Sequence, residues 1–142
     1  MASDSAAALT AAVAYSDGAS RGNPGPAAYG FHIQTTDGED VIACGEAIGS
    51  ATNNVAEYRG AIAAVTKAAE LGVQDLELRM DSELIVKQMK GEYRVKQPAL
   101  QQLKAKLDQA AGAFRTFRVS HVRREFNKEA DRLANEALDR AS

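Results

Sequence analysis

Four acidic residues, Asp17, Glu57, Asp81 and Asp131, occupy positions where a solvated carboxylate is not the natural local choice. Asp17 and Asp81 close short apolar runs of strand character. Glu57 and Asp131 are expected in the first turns of helices, beside the apolar stripe. They lie too far apart along the chain to meet without a fold. Brought together they form a compact negative cluster, and like charges so close push one another toward protonation unless cations neutralise them. Magnesium prefers carboxylate and water oxygens, and two such ions about 3.5–4 Å apart can clamp a phosphodiester. The chemistry these residues can do is therefore metal-assisted phosphate chemistry. A cysteine–histidine zinc site is not available, with one cysteine and two histidines in the chain.

Each acid also has a plainer reading. Asp17 before Gly18 has the form of a turn. Glu57 can be a first-turn acid favoured by the helix dipole, although it shares a face with the small residues Ala61, Ala64 and Ala68. Asp81 followed by Ser82 can be the cap of the next helix. Asp131 lies at the margin of the stripe made by Ala130, Leu133 and Ala134. Only the joint placement of the four distinguishes a site from four local roles.

The elements that must place them follow from periodicity. Ala11 to Asp17 is a short apolar run, expected as a central strand, and Gly22-Asn-Pro-Gly-Pro26 is a loop. Tyr29, Phe31 and Ile33 alternate with Gly30, His32 and Gln34, the period of a half-buried strand. Asp37-Gly38 signals a hairpin returning through Val41 to Ile48. Helical spacing then takes over at Val55, Ile62, Val65 and Ala69, with Thr52, Asn53 or Asn54 as cap and Gly72 as stop. Leu76, Leu78 and Met80 form a fourth strand ending at Asp81, and a short helix through Leu84, Ile85 and Met89 breaks at Gly91. Pro98 opens a helix bearing Leu100, Leu103, Leu107 and Ala110. Phe117 and Val119 mark a fifth strand, and a last helix starts near Phe126. The order β-β-β-α-β-α-α-β-α implies an α/β fold with a mixed sheet and helices against it. Asp17 and Asp81 then fall at the C-terminal ends of the two central strands, where open α/β sheets gather ligands.

Composition bounds the class. A chain of 142 residues, 45% hydrophobic and 25% charged, is sized and mixed for one soluble domain. We expect a flexible tail over residues 1–10 and a single domain over residues 11–142. No apolar run approaches the ~18 residues of a membrane span, and the N-terminus lacks the pattern of a secretion signal. One cysteine, Cys44, excludes an internal disulfide framework and fits a reducing cytoplasm. The net charge of −2 neither supports nor excludes a polyanionic substrate, because residues 87–96 and 115–124 are locally basic.

Four segments, each holding one of the acids, carry a specific resemblance: Ser16-Asp-Gly-Ala-Ser-Arg-Gly-Asn-Pro-Gly-Pro26, Thr52-Asn-Asn-Val-Ala-Glu-Tyr58, Met80-Asp-Ser-Glu-Leu-Ile-Val86 and Asn127-Lys-Glu-Ala-Asp-Arg-Leu-Ala-Asn135. In this order they resemble type 1 ribonuclease H over nearly the whole chain, from about Ala11 to Leu138. The resemblance implies a ribonuclease H-like fold, a five-stranded mixed sheet with helices on both faces. It implies hydrolysis of the RNA strand of RNA/DNA hybrids, leaving 5′-phosphate and 3′-hydroxyl ends. Asp17, Glu57, Asp81 and Asp131 would hold two Mg2+ ions, with Mn2+ as a substitute. Gly18 and Ser20, taken as loop residues, would approach the ribose, and Asn53 and Asn54 would face both strands in the minor groove. Asn23 and Thr52 would receive a DNA-strand phosphate. Glu83 stands where many relatives carry glutamine. The hybrid is the implied partner, with no membrane and no obligate protein partner, and the chain is expected to be monomeric and cytoplasmic. The reading from another class is a non-catalytic nucleic-acid-binding module that kept the fold and lost the chemistry; its mark would be a missing acid, and all four are present.

The chain departs from the family pattern twice. Relatives with a histidine on a flexible loop before the last acid have no counterpart here, because His121 is expected in the fifth strand. Arg124 resembles an arginine of archaeal-type members; it can stabilise phosphate charge but is a poor base. His32 is read as structural. The basic protrusion of some relatives is also missing, with only Gly91 to Gln97 between the second and third helices. Fewer phosphate contacts release fewer counterions. Hybrid affinity measured against salt should therefore fall less steeply than for a protrusion-bearing relative; an equal or steeper slope would count against this.

Overall fold

A computed structural model describes residues 9–141. Five strands, β1 (Ala11–Ser20), β2 (Gly25–Thr35), β3 (Asp40–Ala51), β4 (Asp75–Met80) and β5 (Thr116–His121), form one sheet in the order β3-β2-β1-β4-β5. β1–β2 and β2–β3 pair antiparallel, while β1–β4 and β4–β5 pair parallel. The helices are α1 (Asn53–Glu70), α2 (Glu83–Met89), α3 (Pro98–Ala111) and α4 (Lys128–Ala141), the last preceded by a 3-10 turn over Arg124–Phe126. The expected element order and mixed sheet hold.

Several boundaries move, each for a physical reason. β1 does not end at Asp17 but runs on through Gly18 to Ser20, because β2 extends back to Gly25 and pairs with it. Asp17, Gly18 and Ser20 are thus strand residues, neither turn nor loop. β2 is not half-buried: residues 27–33 are all buried, since helices cover both faces. Its alternation records two different partners rather than core and solvent. On α1 the buried positions are Ala56, Glu57, Tyr58, Gly60, Ala61, Ala64, Val65 and Ala68, with Val55 and Ile62 at the margin of that face. Phe126 belongs to the 3-10 turn and is 62% exposed, so α4 begins two residues later than expected. Of the expected tail, residues 1–8 lie outside the described residues, but Leu9 packs on the core and the Thr10 carbonyl accepts from the N–H groups of Gln74 and Asp75.

Glycines set how closely the helices approach. Gly30 pairs with Asp17 on one side and Gly45 on the other, giving a row without side chains at its centre. α4 lies on that row: a Cβ at Gly30 would sit 2.4 Å from the Ala130 carbonyl oxygen, and one at Gly45 would sit 2.4 Å from that of Leu133. On the other face, a Cβ at Gly18 would meet the α1 backbone at Ala56 and Glu57, also at 2.4 Å. Both helices are therefore lowered onto the sheet beside Asp17. Gly30→Ala should cost about 1–3 kcal/mol in urea unfolding, because backbone rather than a flexible side chain must move. A loss below about 0.5 kcal/mol, the scale of a neutral surface change, would remove this seat from the account.

Candidate active site

The parallel pairing of β1 and β4 stops at Tyr15 and Arg79, and the two chains diverge beyond it. Asp17 and Asp81 lie just past that point. Asp17 is buried within the antiparallel β1–β2 pairing, whereas Asp81 follows the last residue of β4 and is partly exposed. Ser82, not Asp81, caps α2: its hydroxyl accepts from the Ile85 N–H at 3.3 Å, which leaves the Asp81 carboxylate for other partners. Thr52 caps α1 by accepting from the Val55 N–H at 3.2 Å. Glu57 is the fifth residue of α1 and so stands in its second turn, not the first; the helix-end dipole is not what places it there.

One carboxylate oxygen from each of Asp17, Glu57 and Asp81 lies within 4.8 Å of the others. The Gly18 N–H donates to Glu57 at 2.8 Å and to Asp17 at 3.0 Å, so one backbone donor serves both carboxylates. That support is small against the cost of the setting. Burial drives the Asp17 carboxyl far above its ordinary range, and Glu57, Asp81 and Asp131 push it further. Burial and then Asp81 also raise Glu57, opposed by the Gly18 N–H, by Asp17 and by the Arg124 charge. Three hard oxygen ligands, two of them (Asp17 and Glu57) with ionised forms disfavoured for want of positive charge, fit a divalent cation.

Asp131 stands in the first turn of α4, exposed at the rim, and from there adds to the upward push on the Asp17 carboxyl. It is not part of the three-carboxylate group. Its Oδ1 accepts from the Asn135 side-chain amide at 3.2 Å. Arg124 is exposed in the 3-10 turn, and its charge reaches Glu57. The ion pair of this turn is made by its neighbours, Arg123 with Glu125 at 3.1 Å.

The expected substrate-side residues split into two groups. Asn23, Thr52 and Asn53 are brought together, with the Asn23 Oδ1 accepting from the Asn53 N–H at 3.1 Å; Asn54 follows on the first turn of α1. The Ser20 hydroxyl donates to the Ala51 carbonyl at 2.9 Å and contacts the Gly22 carbonyl, so it fastens the same corner. Gly18 has its N–H engaged by the two carboxylates and its Cα face against α1. Glu83 is exposed at the start of α2, 3.9 Å from the Lys87 ammonium. His32 is buried and stacked on Tyr15 with centroids 4.7 Å apart, consistent with a structural residue, and burial lowers its pKa. His121 ends β5 as expected.

Asn127 is a polar residue of this neighbourhood to which no local pattern assigns a role. It is 1% exposed and donates from its amide to the Ser16 carbonyl at 3.0 Å and to Asp81 at 3.3 Å. The available signal was an asparagine at a helix start, which reads as an ordinary cap. Its inward direction becomes visible only with β1 and β4 in place.

The sequence profile of the reverse transcriptase-like family matches residues 15–137. The chain is 48% identical over 128 residues to ribonuclease HI of Halobacterium salinarum, covering 90% of this chain and 64% of that protein. It is 49% identical over 127 residues to a bifunctional protein of Mycobacterium tuberculosis, covering 89% of this chain and 35% of the relative. The chain thus spans less than two thirds of these curated relatives. The crystal structure of ribonuclease H1 from Halobacterium salinarum superposes with a TM-score of 0.90 at 46% identity, over 92% of this chain and 98% of that one. LC11 ribonuclease H1, solved in complex with an RNA/DNA hybrid, gives a TM-score of 0.87 at 41% identity, over 92% and 98% of the two chains.

The raised carboxyls give the metal-free protein a defined pH response. Groups whose pKa rises on folding contribute stability that is whole below their unfolded pKa, near 4, and is lost as pH climbs through the folded value. Thermal stability without divalent ions should therefore fall from about pH 4 upward across neutrality. Asp17→Asn keeps the acceptor for Gly18 and removes the charge, so it should be more stable than the parent at pH 7–8 by about 1–3 kcal/mol, the difference closing toward pH 4. Mn2+ should raise the melting temperature of the parent and leave that of the variant nearly unchanged. A variant less stable than the parent at pH 8 without metal would contradict the electrostatic account.

Proposed function

The chain belongs to the type 1 ribonuclease H family, and on that premise we propose that it is an endonuclease that hydrolyses the RNA strand of RNA/DNA hybrids. The observation that carries this reading is the convergence of Asp17, Glu57 and Asp81 within 4.8 Å at the edge where β1 and β4 part. Asp17, Glu57, Asp81 and Asp131 would hold two divalent ions, Mg2+ with Mn2+ as a substitute. Bound there, the ions would supply positive charge at the entering and departing oxygens of an in-line displacement.

The chain's own residues do the rest. The Gly18 N–H holds Asp17 and Glu57 in a fixed relation before substrate arrives, which spares reorganisation during reaction. Arg124 adds a permanent positive charge on the solvent side of Glu57, suited to a phosphate oxygen and unsuited to taking a proton. Asn23, Thr52, Asn53 and Asn54 border the site with polar side chains at the N-terminal end of α1, whose positive dipole end favours an anion such as a DNA-strand phosphate. Gly18 and Ser20 lie beside Asp17, where the ribose 2′-hydroxyl, both donor and acceptor, would be distinguished from a deoxyribose. Glu83 offers an acceptor only. Water attacking phosphorus breaks the bond to the 3′ oxygen, leaving a 5′-phosphate and a 3′-hydroxyl. The hybrid is the partner in this reading, with the chain acting as a cytoplasmic monomer without an obligate protein partner. No helix among the described residues is long and apolar enough to cross a membrane.

The test is a labelled RNA/DNA hybrid incubated with the chain and Mg2+. The expected result is metal-dependent cuts in the RNA strand alone. Asp17→Asn should lose cleavage by on the order of 10³-fold or more, the scale for removing a member of a catalytic unit, while hybrid binding survives. Affinity without cuts in either metal would favour the non-catalytic module, and nicks in the DNA strand would indicate a different two-metal nuclease.

A further inference from the structure

We infer that Asn127 is a positioning residue for cleavage: its side-chain amide ties Asp81 to the Ser16 carbonyl of β1 while its main-chain carbonyl holds the first turn of α4, which carries Asp131. The inference rests on the nuclease reading above and extends it to a residue outside the carboxylate set.

The argument begins with donors. An asparagine amide has two N–H hydrogens, and here the acceptors are the Ser16 carbonyl at 3.0 Å and the Asp81 carboxylate at 3.3 Å. Both acceptors are oxygens, so the amide orientation is fixed; a flipped amide would set its own oxygen against a carbonyl and a carboxylate. Ser16 is the neighbour of Asp17 in the central strand. One side chain thus spans the gap between β1 and the end of β4 at the place where the parallel pairing has ceased. Beyond Tyr15 and Arg79 no ladder hydrogen bond fixes how far Asp81 stands from Asp17, and Asn127 supplies that link.

The main chain makes the second connection. The Asn127 carbonyl accepts from the Asp131 N–H at 3.2 Å, and the Asn127 N–H donates to the Arg124 carbonyl at 2.9 Å. Asn127 is therefore the junction between the 3-10 turn bearing Arg124 and the helix bearing Asp131. An asparagine just before a helix ordinarily turns its side-chain oxygen onto the helix N–H groups. Here that oxygen is buried and meets no partner among the described residues, because the amide is turned the other way, toward Asp81. The side chain acts on the site and not on the helix end.

The donor is also uncharged. It orients Asp81 without cancelling its charge, so the carboxylate keeps its full attraction for a cation. Groups that hold a metal ligand in place in this way, without touching the ion, typically change metal affinity or activity by about 10–100-fold when removed.

The experiment compares the whole chain with Asn127→Ala in two measurements: Mn2+ titration calorimetry without nucleic acid, and cleavage of a labelled RNA/DNA hybrid across a range of Mn2+. The expected result is Mn2+ binding weaker by about 10–100-fold, a lower kcat at saturating Mn2+, and a KM for the hybrid within about two-fold of the parent. Circular dichroism should show both proteins folded at the assay temperature. If Asn127→Ala does not fold, Asn127→Ser, which keeps one donor, takes its place and should show a smaller loss in the same two readouts. Unchanged Mn2+ affinity and kcat would overturn the assignment. So would a lower kcat and a lower Mn2+ stoichiometry that merely follow the unfolded fraction, with Mn2+ affinity unchanged, since these mark a structural residue. A parent chain that binds Mn2+ but leaves the hybrid intact overturns the nuclease reading instead, and the calorimetric comparison still decides whether Asn127 governs the carboxylates.

Discussion

The arrangement depends on one unfavourable contact: the carboxylate of Asp17, set in the middle of a sheet and nearly out of water, held against that of Glu57. Neither acid has a basic side chain bonded to it among the described residues; the Gly18 N–H is shared between them and the charge of Arg124 acts from the rim. Removing charges from water is costly unless an opposite charge is close. The fold accepts that cost at the sheet edge and balances it with an otherwise ordinary apolar core, in which Ala14, Phe31 and Ile33 of the sheet cluster with Tyr58 and Val65 of α1. A site of this kind is suited to a cation.

Missing side chains make the contact possible. Gly18 admits α1 to β1, and Gly30 with Gly45 admits α4 to the opposite face, so acids from two helices reach a strand residue from both sides. A larger residue at any of the three would hold a helix away from the sheet and open the cluster. The glycines and the acids therefore form one device.

The order of elements was legible because each relied on a local signal: the alternation of Leu76, Leu78 and Met80, the proline that opens α3, the hairpin at Asp37-Gly38. What was illegible depended on partners distant in sequence. Asp17-Gly18 has the form of a turn, and only pairing with Ala28 to Gly30 keeps it in a strand. Tyr29 to Ile33 alternates as a half-buried strand does, yet α4 covers the second face, and no local pattern announces that. Glu57 was found through its small-residue face, but its place in the helix was misjudged by one turn. Ser82 took the capping role open to Asp81. Asn127 shows the limit most clearly, since its type and position fit a cap while its amide serves Asp81. The residues proposed to meet the hybrid, Asn23, Thr52 and Asn53, also cap and fasten the α1 corner, so the proposed substrate contact would fall on residues that already carry a structural duty.

The central claim is that Asp17, Glu57 and Asp81 share a cation. Anomalous diffraction from crystals of the whole chain grown with Mn2+ and no nucleic acid tests it most directly. The account predicts a manganese peak within coordination distance, about 2.0–2.3 Å, of oxygens from all three residues, with Asp81 still bonded to the Asn127 amide. Manganese bound elsewhere, or Asp17 and Glu57 unmoved and without metal at saturating Mn2+, would contradict it.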